Sequence, residues 1–251
     1  MKAMILAAGL GTRLQPLTND RPKALVTVGE RTLLEIAVTR LRGFGVREVI
    51  VNAYHFAEMI AEYLNSHDNF DMRIEVSREN RLLDTGGGLK NAAHFFLGPD
   101  GGNREPFIVH NVDVISNIDL GRMMRFHHEQ SALATLAVQD RETSRYLLFD
   151  ELGQLCGRRS GRDGKPELVR SCDQALARAF SGIHVISPQL LLKMGEESAF
   201  SIINTYMDLA GKGERIVAFP ADDCYWRDLG RPENLAQASV DLADGKWSIQ
   251  N

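Results

Sequence analysis

The feature that most constrains this chain's fold is an alternation of short apolar runs, rich in Val and Ile, with segments of helical period. The runs include "AMILAA", "EVIVNA" and "MRIEVS". Between them lie "LLEIAVTRLRGFG" and a segment near 57–64 whose apolar residues recur with the period of a helix. The alternation continues with "GGGLKNAAHFFLG", which predicts a helix, and "PFIVHNVDV", which predicts a buried strand. Strands that alternate with helices form a mostly parallel sheet covered on both faces. The sequence therefore predicts an α/β fold.

The alternation of apolar runs and helical segments becomes less regular beyond about residue 140. "YLLFDELGQLCG" predicts a hairpin that turns at Gly153, and a polar, Arg-rich stretch follows from residue 158 to 173. "FSGIHVIS" then predicts a further strand, and "RPENLAQASVDLADG" a terminal helix. We therefore expect a single domain over 1–251, in which residues 1–139 form a core, about 140–180 an inserted lobe, and 181–251 the returning strands and last helix.

The composition limits the classes of partner and ligand that the protein is expected to bind. The 251 residues carry a net charge of −4, so no global basic field favours nucleic acid, and any phosphate must be met locally. Three cysteines without C-x-x-C spacing suggest neither a disulfide framework nor a structural zinc site. The short apolar run in "MKAMILAAG" suits neither a signal peptide nor a membrane span. We expect a cytoplasmic protein with no membrane partner, while the oligomeric state stays open.

The segment after the first strand, "LAAGLGTRLQPLTNDRPKAL", is too long for a simple connection, since most loops between a strand and a helix have roughly 2–6 residues. Leu14 stands where a dinucleotide-binding fingerprint needs its third glycine, and the spacing of a P-loop is missing. What remains is a glycine-rich turn whose backbone N–H groups can surround anionic oxygens, with positive charge from Arg13 and Lys23. These properties suit a triphosphate.

The run from Gly9 to Lys23 resembles, without a break, the G-x-G-T-R-x-x-P-L-T-x-x-x-P-K signature of the sugar-1-phosphate nucleotidyltransferases. "LLDTGGGLKNA" is similar to that family's nucleobase-binding segment, "NVD" and "YWRDLGRPENL" to its two metal-binding aspartate segments, and "FSGIHVIS" to a sugar-binding strand. The resemblance implies a Rossmann-like three-layer αβα fold with a nucleotide-binding core and a small inserted sugar-binding lobe. Among short members, the chain looks most like N-acetylmuramate 1-phosphate uridylyltransferases and mannose or heptose 1-phosphate guanylyltransferases.

The resemblance also implies a reaction, in which a sugar 1-phosphate attacks the α-phosphorus of a nucleoside triphosphate and releases pyrophosphate. Such transfer requires positioning and charge neutralisation more than a covalent nucleophile. The implied catalytic residues are Arg13, on the β- and γ-phosphates, and Lys23, on the α-phosphate. Asp113 and Asp228 would hold one or two Mg²⁺ ions. The other implied contacts are Ala8, Gly9, Gly11, Thr12, Asp84, Gly86 and Gly87 for the nucleotide, and Asn111, Ser181 and Gly182 for the sugar.

Two points bear on substrate choice. The Asp84 carboxylate only accepts hydrogen bonds, so it favours a base with N–H donors, and GTP or UTP is expected over ATP. The sequence departs from the family pattern in lacking the E-K-P motif, whose lysine holds the sugar phosphate. Substitutes for that lysine remain open among four basic residues of the lobe, Arg158, Arg159, Arg162 and Lys165.

Two other functions stay open at this point. One is a cytidylyltransferase that acts on a non-sugar phosphate such as phosphocholine, which would need an aromatic or acidic box for the ammonium group. The other is a regulatory subunit that binds nucleotide or NDP-sugar without turnover. Such a subunit could lose Lys23, Asp113 or Asp228, all of which this chain retains.

Overall fold

The computed structural model of the chain describes residues 1–98 and 101–248. The last residues of the predicted 181–251 segment, 249–251, lie outside this part. The helices are α1 Leu33–Gly43, α2 Ala57–Ser66, α3 Asp84–Asn91, α4 Ala93–Leu97, α5 Leu120–Glu129, α6 Ile202–Gly211 and α7 Pro232–Ala243. The strands are β1 Lys2–Leu6, β2 Thr27–Val28, β3 Arg31–Thr32, β4 Glu48–Ala53, β5 Arg73–Arg78, β6 Phe107–Asn111, β7 Val114–Ser116, β8 Ala134–Gln139, β9 Arg145–Phe149, β10 Leu155–Ser160, β11 Glu167–Leu168, β12 Leu176–Ile186, β13 Ile216–Pro220 and β14 Trp226–Asp228.

The central sheet has the order β11-β10-β9-β12-β6-β1-β4-β5, and β8 joins β13 to β12. Strands β6, β1, β4 and β5 are mutually parallel, as are β8 and β13. Strand β12 runs antiparallel to β6, β8 and β9. The α/β prediction is confirmed, and the parallel strands bring their carboxyl ends, where ligands bind in open α/β sheets, to one edge.

Helices cover both faces of the sheet. Successive side chains of a strand point to opposite faces, and in β1 Ala3 and Ile5 pack into one hydrophobic cluster while Met4 packs into the other. The first cluster contains apolar residues of α1, α2, α5 and α7, and the second contains those of α3, α4 and α6. The result is the predicted three-layer arrangement.

Three elements differ from the sequence prediction. The helix expected over "GGGLKNAAHFFLG" begins earlier, at Asp84, and is divided at Ala92 into α3 and α4. The strand expected over "PFIVHNVDV" is interrupted at Val112, whose N–H donates to the carbonyl of Leu6. Strand β12 begins at Leu176, earlier than expected, because its first half pairs with β9.

The segment between β8 and β12 extends the sheet with antiparallel strands. The predicted β9–β10 hairpin is confirmed, with Gly153 at φ +71 in its turn. Among the described residues, no helix is long and apolar enough to cross a membrane.

Candidate active site

The opening loop leaves β1 and folds into two short 3₁₀ turns, Thr12–Leu14 and Lys23–Leu25, before β2 and β3 lead into α1. Gly11 has φ +66, a left-handed conformation that favours glycine. A Cβ at this position would lie 3.0 Å from the Thr18 Cγ2 atom and 3.2 Å from the Lys23 Cβ atom. The Thr18 hydroxyl donates to the Gly11 carbonyl at 2.9 Å and closes the loop. Gly11 therefore gives the loop the tight turn that brings Lys23 back toward its start.

Two buried polar side chains brace the start of this loop. The Asn52 carboxamide oxygen accepts from the Ala7 N–H at 2.8 Å, and its amide donates to Glu79 at 2.7 Å. The other Glu79 oxygen accepts from the Leu83 N–H at 3.1 Å. Burial raises the pKa of Glu79. This chain of hydrogen bonds ties the opening loop to the segment that carries Asp84.

Lys23, Asp113 and Asp228 form a charged cluster at the carboxyl edge of the sheet. The Lys23 ammonium group donates to the Asp113 carboxylate, and both side chains are largely buried. Strand β14 pairs with β7 so that Asp228 stands opposite Val114, directly after Asp113. The Leu229 N–H also donates to the Asp113 carbonyl at 2.7 Å. Two strand ends thus bring together two carboxylates that are far apart in sequence.

The Asp228 carboxyl group has an altered electrostatic environment. Its pKa is raised by burial and by the neighbouring Asp113 carboxylate, and the hydrogen bond from the Gly230 N–H, at 2.7 Å, opposes this rise. The basic neighbours of Asp228 pair with other carboxylates: Arg227 lies 2.6 Å from Asp241, and Arg231 lies 3.7 Å from Glu233. A surface ion pair with either arginine therefore does not account for the position of Asp228. A raised pKa beside a second carboxylate, at the wall of a cavity, is typical of functional sites.

Two cavities meet at this cluster. The smaller, of about 310 Å³, is lined by the opening loop and by Leu82, Asp84 and Thr85. The larger, of about 610 Å³, is lined by Arg13, Asp228 and residues of β9, β10, β12 and α6. Asn111 and Asp113 line both cavities. The two cavities therefore share a wall at the charged cluster.

The predicted nucleotide residues fall into three groups. Ala8, Gly9, Lys23 and Asp84 line the smaller cavity. Arg13 lines the larger one, and a Cβ on Gly230 would lie 2.6 Å from its guanidinium group. Gly11 and Thr12 line neither cavity, and their contact with a nucleotide stays a prediction.

Gly86 and Gly87 are buried, and their N–H groups donate to the Phe200 carbonyl at 2.9 and 3.2 Å. A Cβ at Gly86 would lie 2.4 Å from the Phe200 ring, and one at Gly87 would lie 2.3 Å from the Ser198 carbonyl oxygen. Close packing of α3 against the segment before α6 therefore requires glycine at both positions. Their contact with a nucleotide stays a prediction.

Of the predicted sugar contacts, Asn111 and Gly182 line the larger cavity. Gly182 has φ +73, and a Cβ there would lie 2.8 Å from the Asn111 side-chain nitrogen. Ser181 does not line the cavity: its side chain is fully buried and its hydroxyl has no partner among the described residues. The residues on either side of it along β12, Phe180 and Gly182, line the cavity. A contact of Ser181 with a sugar stays a prediction. The Ser181 carbonyl accepts from the Trp226 indole N–H at 2.7 Å.

Asp113 and Asp228 fit a Mg²⁺ site. Within residues 1–98 and 101–248, no cluster of three or more His, Cys, Asp or Glu side chains suits a metal. Magnesium, however, commonly binds one or two carboxylates, and substrate phosphates and waters complete its coordination. The Asp113 carboxylate contributes to the raised pKa of Asp228 by electrostatic repulsion. A bound cation would reduce this repulsion.

Sequence reasoning missed several residues of this site. Asn52 and Glu79 brace the loop, and Arg141, Phe180 and Trp226 line the larger cavity. Asn52, Glu79 and Arg141 lie outside the signature motifs, and pairing across the sheet brings them to the site. Phe180 and Trp226 belong to two quoted segments, "FSGIHVIS" and "YWRDLGRPENL", but nothing in the sequence assigns them a role.

Comparison with known proteins agrees with this geometry. The sequence profile of the family described as "Nucleotidyl transferase" matches residues 2–245. The chain belongs to the nucleotidyl transferase family. The match confirms the family predicted from the opening loop, and the chain is a nucleotidyltransferase enzyme.

Two relatives show how far this nucleotidyltransferase matches along its length. N-acetylmuramate alpha-1-phosphate uridylyltransferase of Caulobacter vibrioides is 31% identical over 258 residues, with 96% of this chain and 97% of that protein covered. Mannose-1-phosphate guanylyltransferase 1 of Arabidopsis thaliana is 30% identical over 237 residues, with 93% of this chain but 62% of that protein covered. The chain thus spans about three fifths of the length of the second relative.

Solved structures share the fold. HddC from Yersinia pseudotuberculosis superposes with a TM-score of 0.75 at 22% identity, with 96% of this chain and 98% of that chain covered. A UDP-glucose pyrophosphorylase structure superposes with a TM-score of 0.76 at 18% identity, with 97% and 98% covered. The Rossmann-like nucleotidyltransferase fold is confirmed.

Proposed function

We propose that this nucleotidyltransferase transfers a nucleotidyl group from a nucleoside triphosphate to a sugar 1-phosphate, which yields an NDP-sugar and pyrophosphate. The observation that carries the proposal is that Lys23, Asp113 and Asp228 lie where two cavities meet. A reaction that joins two substrates needs two spaces with the catalytic charges between them. The names of the two relatives support this substrate class.

In this proposal the triphosphate lies in the smaller cavity, with its base toward Asp84, and GTP or UTP is favoured because that carboxylate accepts from base N–H groups. Lys23 stabilises the charge that develops on the α-phosphate. Arg13, which lines the larger cavity together with Asp228, binds the departing pyrophosphate where the triphosphate reaches the wall that the two cavities share. Asp113 and Asp228 would hold Mg²⁺, which when bound neutralises phosphate charge. No general base is needed, since the acceptor phosphate is already ionised at neutral pH.

The sugar 1-phosphate lies in the larger cavity, against Asn111, Gly182 and the lobe of about 140–180. In this proposal residues 1–139 bind the nucleotide, and the lobe completes the binding site for the sugar. The chain's own residues hold both phosphates near the shared wall, so that the acceptor oxygen faces the α-phosphorus.

The test is pyrophosphate release with Mg²⁺, measured by a coupled pyrophosphatase across four nucleoside triphosphates. The acceptors are N-acetylmuramate, mannose, heptose and glucose 1-phosphates, with phosphocholine as the non-sugar alternative. Release that depends on both a triphosphate and a sugar 1-phosphate supports the proposal. Release with phosphocholine alone favours the cytidylyltransferase alternative, and binding without turnover across the panel favours the non-catalytic one.

A further inference from the structure

The larger cavity holds more positive charge than the proposed roles use. Its lining contains five arginines, Arg13, Arg141, Arg145, Arg158 and Arg159. Arg158 is engaged, since it pairs with Glu167 at 2.7 Å and donates to Asn204 at 2.9 Å. Arg141, Arg145 and Arg159 form no ion pair within 4.0 Å with any described carboxylate. A cavity that faces three such cations is suited to an anionic ligand.

Arg141 is the most firmly oriented of these three. One terminal nitrogen donates to the Phe180 carbonyl at 2.8 Å, and the guanidinium carbon lies 3.6 Å from the centroid of the Trp226 ring. Its Nε atom is buried and has no partner among the described residues. Stacking fixes the plane of the guanidinium group, and its remaining N–H groups are free to bind phosphate oxygens in the planar, bidentate manner typical of arginine.

The position of Arg141 also favours a phosphate ligand. Trp226, on which it stacks, lies on β14 together with Asp228, and the Trp226 indole is itself fixed to the Ser181 carbonyl. Burial lowers the pKa of Arg141, while the nearby Asp228 carboxylate opposes this shift. The Arg141 guanidinium group therefore lies near Asp228 of the charged cluster, on the side of the larger cavity.

We propose that Arg141 binds the phosphate of the sugar 1-phosphate and so replaces the lysine of the missing E-K-P motif. The inference rests on the proposed function and identifies which residue positions the acceptor. Arg145 is exposed, so Arg159, on lobe strand β10, is the rival. Its Nε atom is also buried without a described partner, but its guanidinium carbon lies 5.5 Å from the Tyr146 ring centroid, farther than Arg141 lies from Trp226. Arg158 is already paired, Arg162 is exposed and lies 3.8 Å from Glu142, and Lys165 is exposed outside the cavity lining.

The experiment compares the full-length protein with Arg141→Gln, Arg141→Lys, Arg159→Gln and Arg162→Gln. Arg162 is the matched control, because it has the same charge and lies in the same segment but does not line the cavity. The KM for the sugar 1-phosphate and the KM for the nucleoside triphosphate are measured separately. Thermal melts verify that each variant is folded.

We expect Arg141→Gln to raise the KM for the sugar 1-phosphate by about ten-fold or more and to leave the triphosphate KM within about two-fold, since one charge-assisted contact is lost. Arg141→Lys keeps the charge without the bidentate geometry and should give an intermediate value. Arg162→Gln should match the wild type. An unchanged acceptor KM in Arg141→Gln, an effect confined to Arg159→Gln, or an equal rise in both KM values would overturn the assignment.

Calorimetric titration separates this inference from the reaction itself. The probes are N-acetylmuramate 1-phosphate and mannose 1-phosphate, each compared with the same sugar lacking phosphate. Preference for the phosphorylated sugar should be lost in Arg141→Gln and retained in Arg162→Gln. Equal binding by Arg141→Gln and wild type, or no preference in the wild type, contradicts the role of Arg141. Wild-type protein that prefers the phosphate but never releases pyrophosphate contradicts the proposed reaction instead.

Discussion

Lys23 is the cation that the opening loop holds against the Asp113 carboxylate, on the wall of the smaller cavity. We predict that Lys23→Ala lowers kcat by about 10²–10³-fold, as is typical when one preorganised donor to a transition-state charge is removed. The KM for the triphosphate should change much less. Arg21→Gln is the matched control, since Arg21 belongs to the same loop but is exposed and pairs only with Asp20. Similar losses in both variants would show that the loop tolerates no charge change, and would contradict a specific role for Lys23.

Asp228 makes the activity sensitive to acid. Burial and the Asp113 carboxylate raise its pKa above the ordinary aspartate value of 3.8. A carboxylate must be ionised to bind a metal, so kcat/KM should fall as the pH is lowered through this raised pKa. If Asp228 holds Mg²⁺ as proposed, the metal and the proton compete for the same carboxylate, and a ten-fold higher Mg²⁺ concentration should move the acid limb to lower pH. Profiles of kcat/KM against pH at two Mg²⁺ concentrations check this prediction. An acid limb that does not move with the Mg²⁺ concentration would contradict it.

At the scale of elements, the packing of α3 against the segment before α6 depends on residues without side chains. We predict that Gly87→Ala destabilises the fold by about 1–3 kcal/mol, because its Cβ would lie 2.3 Å from the Ser198 carbonyl oxygen and the backbone must move. Gly43→Ala is the control, since an added Cβ at this exposed helical position meets no heavy atom within 4 Å. Urea unfolding gives both free energies. Equal stabilities would disprove close packing as the reason for Gly87.

Elements with strong local patterns were predictable from sequence. The run "EVIVNA" corresponds to β4, and "YLLFDELGQLCG" contains the β9–β10 hairpin, since alternation of apolar residues and turn chemistry are local signals. Element ends were less predictable. Whether Val112 continues a strand depends on its hydrogen bond to Leu6, and where β12 begins depends on its pairing with β9. These contacts join residues far apart in the chain.

The same distinction holds for the site. Arg13, Lys23 and the glycines of the opening loop could be proposed from the sequence because they form one dense motif. Asn52 reaches Ala7 across two strands of the sheet, and Arg141 reaches Trp226 only through the pairing of distant strands. The burial of the Ser181 side chain was not predictable, because a sequence does not show which face of β12 a given residue occupies at a position of irregular register.

At the scale of the whole molecule, two cavities with one shared wall predict how ligands stabilise the fold. A ligand that binds only the folded state raises the unfolding midpoint in proportion to the logarithm of its affinity. An NDP-sugar product would fill both cavities, so at equal concentration it should raise the midpoint more than the corresponding nucleoside monophosphate or sugar 1-phosphate. Thermal melts with each ligand check this. Equal shifts by product and nucleoside monophosphate would mean that the larger cavity takes no part in binding.

Of the residues that the structure describes, only Asn111 and Asp113 line both cavities, and the other lining residues belong to one cavity or the other. Strands β9, β10 and β12 form part of the wall of the larger cavity, and they line no part of the smaller one. Under the proposed assignment of the donor to the smaller cavity and the acceptor to the larger one, substitutions in those strands can alter which acceptor is chosen without disturbing the recognition of the donor. Such a division allows acceptor preference to drift through evolution, or to be redesigned, while the donor half and its chemistry stay fixed.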